Sequence, residues 1–359
     1  MEKNKNILIC PLEWGLGHAG RMIPLARKLR DLQNNIYIAG GDEQLSFFRR
    51  ELQGLSYIKF PGFRPGYSRL LPQYLVLLLQ TPVLMYHIVY EHIRLRKIIK
   101  DYNIDIVISD NRFGLWNKNV KTVYITHMPL IPFPKPFAFL EFTGILLHRL
   151  VIKRFNFCFI PDLPGEINVS GRLSHGVKLH ANTRFIGILS RFTYSDPIVK
   201  SLTVPLTTVI LSGPEPQRSI LKNILTELLR NRNTAILEGR PGVKEEVSAS
   251  GNITTYNHLE TTEMKEMLLS SSDIITRAGY TTIMELISLN CKALLIPTPG
   301  QTEQEYLADY LSQKGWFSTV SQKDINESDL IFPDKYDQPT MFNKMSEELL
   351  DSALRNLLQ

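Results

Sequence analysis

Cysteine is scarce in this chain of 359 residues: Cys10, Cys158 and Cys291 stand far apart in apolar contexts, with no Cys-x-x-Cys pair. That spacing argues against a zinc framework or a disulfide scaffold and for buried thiols in a reducing compartment, so a cytoplasmic location is expected. A signal peptide is not expected either, because Met1–Asn6 is polar and the apolar run behind it is only Ile7–Leu12. Long apolar runs are missing too. Leu70–Tyr90 carries no charge, but Pro72, Gln73, Gln80 and Pro82 interrupt it, which suits two partly exposed helices better than one bilayer span. Neither a basic run, a zinc-finger spacing nor a stacking motif is present, so nucleic acid ranks low as a partner. There is no low-complexity segment and no internal repeat beyond two similar α/β halves.

What is present is unevenly distributed. Through Ser190 there are 25 Lys and Arg against 13 Asp and Glu, a net +12, whereas the remainder has 16 against 22, a net −6. The basic half is therefore expected to face the partner, an anionic membrane surface or an anionic acceptor. The length suits two α/β domains, each able to bury its own core. Met128–Phe142 interleaves Pro129, Pro132, Pro134 and Pro136 with Phe133, Phe137, Phe139 and Phe142, and Arg149, Lys153 and Arg154 follow. With Leu70–Tyr90 it is expected to form an apolar lip with a basic rim, with ordinary core as the alternative.

The chemistry is densest between Ser272 and Leu311. Asp273–Thr276 reads as a strand, Gly279 as a break, Thr281–Leu289 as a helix and Ala293–Ile296 as a second buried strand, which makes a βαβ unit. Gly279 is expected to let the backbone turn close to a ligand, and the helix behind it offers free N–H groups to an anion, most naturally phosphate. Glu285, a little over one turn in, can accept two hydrogen bonds from a ribose diol. The Pro297–Thr302 loop then delivers Glu303, Gln304 and Glu305 to the start of another helix.

RAGYTTIMEL followed by PTPGQTEQEYLA resembles the C-terminal domain of the family 28 glycosyltransferases, which include the lipid-linked peptidoglycan N-acetylglucosaminyltransferase. The resemblance implies Gly279, Tyr280, Thr281 and Thr282 at the donor diphosphate, Glu285 at the ribose, and Gln304 and Glu305 at the transferred sugar. The family often has a second Gln where this chain has Glu305, so the sugar stays open, N-acetylglucosamine being one candidate. No Asp-x-Asp occurs in the chain; the metal clip of the other major glycosyltransferase architecture is thus missing, and neither metal nor cofactor is expected.

At the other end, Ile7–Cys10 reads as a first strand and PLEWGLGHAGRMIPLARKL as a Gly-rich turn entering an amphipathic helix. Gly15, Gly17 and Gly20 let the loop pass beneath a ligand and leave His18 at the mouth of the fold. A helix N-terminus disfavours imidazolium and keeps His18 ready to accept a proton. The string GLGHxxR is similar to the N-terminal loop of nucleotide-sugar glycosyltransferases and of a nucleotide-sugar hydrolase sharing their fold, which places Gly15, Gly17 and Arg21 on the acceptor side. The strands Ile104–Ser109, Thr122–Thr126 and Asn156–Ile160 end at Asp110, His127 and Asp162, where an open parallel sheet edges its ligand crevice. Asp110 and His127 are the rival or auxiliary bases. In SGPEPQR, Ser212 and Gly213 can cradle phosphate and Arg218 supplies a positive fork.

The expected architecture is α/β with two facing Rossmann-like domains of the GT-B type. The acceptor domain is 1–190, the linker 191–204, the nucleotide-sugar domain 205–339, and a helix over 340–359 crosses back. The resemblance implies an inverting transfer of a sugar from a UDP-sugar to an acceptor hydroxyl, lipid-linked or envelope glycan, on the inner face of the membrane. A nucleotide-sugar hydrolase and a non-catalytic donor-binding module are the alternatives.

Overall fold

A computed structural model describes residues 4–66, 73–192, 206–211, 213, 215–241, 247–330 and 337–359. The linker expected over 191–204 falls almost wholly outside the described residues, as does Ser212. The first half contains β1 (Asn6–Cys10), β2 (Asn35–Gly40), β3 (Ser56–Lys59), β4 (Ile106–Asp110), β5 (Lys121–Ile125), β6 (Phe157–Ile160) and β7 (Thr183–Phe185). The second contains β8 (Thr207–Ile210), β9 (Thr234–Leu237), β10 (Val247–Ser250), β11 (Ile253–Tyr256), β12 (Asp273–Thr276), β13 (Leu294–Leu295) and β14 (Ser318–Thr319). The α-helices in chain order are α1 (Leu16–Asp31), α2 (Asp42–Glu51), α3 (Gln73–Leu79), α4 (Thr81–Asp101), α5 (Glu141–Ile152), α6 (Arg172–His175), α7 (Gln217–Leu228), α8 (Thr261–Ser270), α9 (Tyr280–Ser288), α10 (Thr302–Gln313) and α11 (Phe342–Leu358).

Each half builds a seven-stranded sheet, in the orders β3-β2-β1-β4-β5-β6-β7 and β10-β11-β9-β8-β12-β13-β14. All pairings are parallel except β10 with β11. The central strands are almost wholly buried apolar runs, as a sheet covered by helices on both faces requires. The strand order reverses between β1 and β4 in one sheet and between β8 and β12 in the other. At such a switch point the flanking loops diverge and leave a crevice at the strands' carboxyl ends. One contiguous core reaches from Ile7, Met22 and Ile186 to Ile283, Leu307 and Leu350, so the two halves share buried apolar surface.

Helix α11 follows the 3.6-residue period of its apolar positions, burying Phe342, Leu350, Leu354 and Leu357. It reaches the first half through Ser346 Oγ, which accepts from the Ile188 N–H at 2.9 Å, and Asp351, which pairs with Lys28 at 2.6 Å. The uncharged stretch ahead of β4 forms α3 and α4, and Val83, Met85, Tyr86, Val89 and Ile93 of α4 are exposed. Phe139, Phe142, Leu146, Leu147 and Leu150, in and just before α5, are exposed as well. No described helix is long and apolar enough to cross a membrane.

Candidate functional site

The turn after β1 enters α1 through Gly15, whose φ of 73° lies in the left-handed region that favours glycine. Two residues on, Gly17 lies against the second half: its carbonyl accepts from Thr281 Oγ1 at 3.1 Å, and a Cβ there would stand 3.3 Å from the same oxygen. The N-termini of α1 and α9 therefore meet where the switch points of the two sheets face each other.

On the first-half side, His18 on the opening turn of α1 meets Asp110 at the end of β4. His18 Nδ1 is 2.9 Å from Asp110 Oδ2, and Arg21, one turn further along α1, donates from Nε to the same oxygen at 2.9 Å and from Nη2 to Oδ1. Asp110 and Arg21 are wholly buried, whereas His18 keeps 15% of its side chain exposed. Burial alone would raise the Asp110 carboxyl, but the charge of Arg21 and then that of His18 outweigh it and hold the group at about 2. Burial lowers His18, and Arg21 lowers it further against the pull of Asp110. Arg21 Nη2 also lies 2.9 Å from His18 Nδ1. The nitrogen cannot accept from that guanidinium while donating to Asp110. We assign the proton to Nδ1, which donates to the ionised, accept-only Asp110, leaves the Arg21 Nη2 approach without a hydrogen bond, and presents an unprotonated Nε2.

His127, just past β5, extends this network across the molecule. Its Nδ1 accepts from Arg21 Nη1 at 3.1 Å, which leaves Nε2–H to donate to Glu303 Oε1 at 2.7 Å. The ring stacks on Tyr280 at 4.0 Å and 15°, and Tyr280 donates its hydroxyl to the Pro161 carbonyl at 2.8 Å. Burial would raise Glu303, but the facing His127 holds it below the ordinary carboxylate range. His18, Asp110, Arg21, His127 and Glu303 thus form one chain of contacts from α1 to α10. The sequence delivers Glu303 to the first turn of α10 beside Gln304 but gives it no role of its own; its pairing with His127 is found only here.

On the second-half side, α9 begins at Gly279 and buries Tyr280, Thr281, Thr282 and Glu285. Gly279 has φ −77° and ψ 131°. This is ordinary extended backbone, so the turn expected of glycine there is not what its conformation provides. Glu285 is not turned to open solvent. Its Oε1 accepts from Arg191 Nε at 2.7 Å, and burial holds its carboxyl above the ordinary range despite the Arg191 charge. Arg191 also stands 3.8 Å from Glu51 at the end of α2, a link for which the local sequence holds no signal. Gln304 is buried and accepts the Thr298 N–H at 2.9 Å, leaving its amide NH2 uncommitted by that bond. Glu305, exposed, accepts the Gly300 N–H at 2.8 Å and so turns to its own loop. Gly213 has φ 115°, and Arg218 is held by Glu215 at 2.8 Å and by the Glu238 carbonyl at 3.3 Å. Among the described residues no three His, Cys, Asp or Glu side chains converge as a metal cluster.

Residues 221–334, about a third of the chain, match the Glycosyltransferase family 28 C-terminal domain. A UDP-N-acetylglucosamine--N-acetylmuramyl-(pentapeptide) pyrophosphoryl-undecaprenol N-acetylglucosamine transferase of Caldanaerobacter subterraneus is 30% identical over 103 residues, 28% of this chain and 27% of that protein. An uncharacterized glycosyltransferase of Methanosarcina acetivorans is 23% identical over 241 residues, 64% of this chain and 63% of that protein. The matched stretches thus span from about a quarter to just under two thirds of these curated relatives. Among solved structures, the spinosyn rhamnosyltransferase SpnG superposes with a TM-score of 0.62 at 14% identity, covering 99% of this chain and 100% of that one. MurG of Acinetobacter baumannii gives 0.51 at 13% identity, over 98% and 95%. The chain has the two-domain GT-B fold, and its second half is similar to the family 28 donor domain.

Proposed function

We propose that this chain, GT-B in fold and family-28-like in its second half, is an inverting, metal-independent glycosyltransferase that moves a sugar from a UDP-sugar to an acceptor hydroxyl. The observation that carries the reading is the His18–Asp110 pair, 2.9 Å apart at the mouth of the first half and facing the N-terminus of α9. The acceptor hydroxyl attacks the anomeric carbon and its proton passes to His18 Nε2, while the bond from that carbon to the diphosphate oxygen breaks and leaves with its electron pair. Asp110 holds the ring and stabilises the imidazolium that forms, the part an orienting carboxylate plays in a hydrogen-bonded triad.

The charge that develops on the departing diphosphate falls to the free N–H groups of Tyr280, Thr281 and Thr282, helped by Gly279, Ser212, Gly213 and Arg218. Glu285 takes the ribose, for which Arg191 must give way, and Gln304 and Glu305 take the sugar. Gly15, Gly17, Arg21 and His127 form the acceptor side. The curated relatives that act on pyrophosphoryl-undecaprenol and the exposed apolar faces of α4 and α5 support a lipid-linked acceptor. The protein then works peripherally on an anionic cytoplasmic membrane surface, with no nucleic acid partner.

Release of free nucleoside diphosphate from a panel of UDP- and dTDP-sugars, with and without a lipid extract of the source cells, tests this. Extract-dependent release is expected and identifies the donor. Release at the same rate without extract replaces the reading by a nucleotide-sugar hydrolase using the same His18.

A further inference from the structure

We infer that the first half holds a second cleft, apart from His18, that binds a neutral, hydroxyl-rich ring: the sugar head of an amphiphilic glycoside. It has a volume of about 470 Å³ and is lined by Glu13, Gly41, Lys59, Phe63, Arg64 and His87 among others. That is within the ~300–1,000 Å³ typical of small-molecule sites. The cleft lies at the carboxyl ends of β1, β2 and β3, whereas Asp110 and His127 lie beyond β4 and β5, on the other side of β1.

The polar groups of the cleft are built in and incompletely satisfied. The Glu13 side chain is only 2% exposed and pairs with Arg64 Nε through Oε2, yet Oε1 has no hydrogen-bond partner among the described residues. A buried carboxylate oxygen left so costs stability that a donor from a ligand would return. His87 Nδ1 is likewise buried without a partner among those residues. Gly41 makes room for the acid: a Cβ there would stand 2.3 Å from Glu13 Oε1 and 2.6 Å from Arg64 Nη2. With φ −82° and ψ 171° the position has no conformational need of glycine, so the demand is for space alone.

The charges of the lining select the ligand. Glu13 is paired with Arg64 and Asp42 with Lys59 at 2.8 Å, so each of these cations is matched by a carboxylate of the same lining and the cleft carries no net excess of Lys or Arg over Asp and Glu to favour a phosphate. The orphaned Glu13 oxygen only accepts, so it asks for a hydroxyl donor. Pro61, Phe63 and Val83 supply apolar wall for the face of a ring. Val83, 51% exposed, also begins the apolar face that Tyr86, Val89 and Ile93 continue along α4. A ring in the cleft would therefore carry its aglycone onto that face, which is the shape of an amphiphilic glycoside. On the transferase reading above, this ring belongs to the acceptor.

The test is calorimetric binding to the full chain of n-octyl β-D-glucoside below its micelle concentration. Octyl phosphate and a sugar-free octyl polyether serve as controls. The glucoside is expected to bind at least tenfold more tightly than either control. Glu13→Gln should weaken it about tenfold while melting temperature and nucleoside diphosphate affinity hold, and Gly41→Ala, whose Cβ displaces the Glu13 carboxyl, should weaken it as much with a lower melting temperature and an unchanged nucleoside diphosphate affinity. Val83→Asp, at a half-exposed position that does not threaten folding, should weaken octyl glucoside and leave methyl glucoside unaffected. Equal binding of the polyether, preference for octyl phosphate, or indifference to all three substitutions overturns the site. Octyl glucoside should also compete with extract-dependent diphosphate release, and binding without competition overturns the acceptor role. Donor cleavage that needs no extract while glucoside binding persists overturns the transferase reading and leaves the cleft standing.

Discussion

The two halves share a doubly wound sheet but expose different surfaces. The first half carries +12 and the second −6. Among the described residues the large exposed apolar side chains gather on the first half, in α3, α4 and the Phe137–Leu150 stretch, whereas the second half shows little beyond Ile220, Val247 and Met341. In the second half the apolar residues of α9 turn inward and its first eight residues are all buried. One scaffold has thus been finished in two ways: a half whose helix α9 is buried from its first residue, and a half with a basic, apolar surface that ordinary core packing does not explain. Patches of this kind on a folded chain mark interaction surfaces.

The sharpest way to break this division is at the base. Asp110→Asn is expected to lower turnover by about 10²–10⁴ with little effect on donor affinity, because proton transfer is lost while α9 is untouched. An equal loss of donor affinity, measured by nucleoside diphosphate titration, would merge the two halves into one functional unit. Glu285→Ala should do the reverse, weakening donor binding by roughly 1.5–3 kcal/mol, the scale for losing hydrogen bonds to a charged group; an unaltered dissociation constant removes the ribose assignment.

Smaller effects belong to the surface. Replacing Phe139 and Phe142, both 72% exposed, by Glu should abolish co-sedimentation with anionic liposomes at low salt and change folding stability by about 0.5 kcal/mol or less per site. A large drop in melting temperature would instead make these residues core.

The mildest probe is pH. Because the folded state lowers the His18 pKa, the protein binds fewer protons there than the unfolded chain does. That contribution to stability is complete above the ordinary 6.5 and is lost as pH falls below it; the acid limb of turnover should likewise lie below 6.5. The Asp110 contribution, complete above the ordinary 3.8, is lost as pH falls toward about 2. A turnover midpoint above 6.5 would remove His18 as the base.

Much of the site was legible from local pattern. A strand followed by a Gly-rich turn and an amphipathic helix placed His18 on the opening turn of α1, and strand ends placed Asp110 and His127 at the sheet edge, because those signals depend on neighbours a few residues away. The expected break at Gly279 lies between β12 and α9, but its φ and ψ suit any residue, so glycine's conformational freedom is not what the turn uses. Arg191 closes the RFIGILSR segment that resembles the end of the N-terminal domain in related transferases, but its pairing carried no signal, for Glu285 lies 94 residues ahead. Glu303 was legible at the start of α10 but without a role, because its partner His127 lies 176 residues back.

Composition and periodicity alone were enough to determine the two α/β halves, the uneven charge and the apolar segments that resist a single span, because each is a sum over residues or a short-range repeat. The direction in which those segments face, the 2.9 Å approach of His18 to Asp110, the contact of Thr281 with Gly17 and the unpaired oxygen of Glu13 were decided only by the tertiary structure. Each requires groups distant along the chain to share one small volume, and which groups do so is settled when both sheets pack against their helices and against each other.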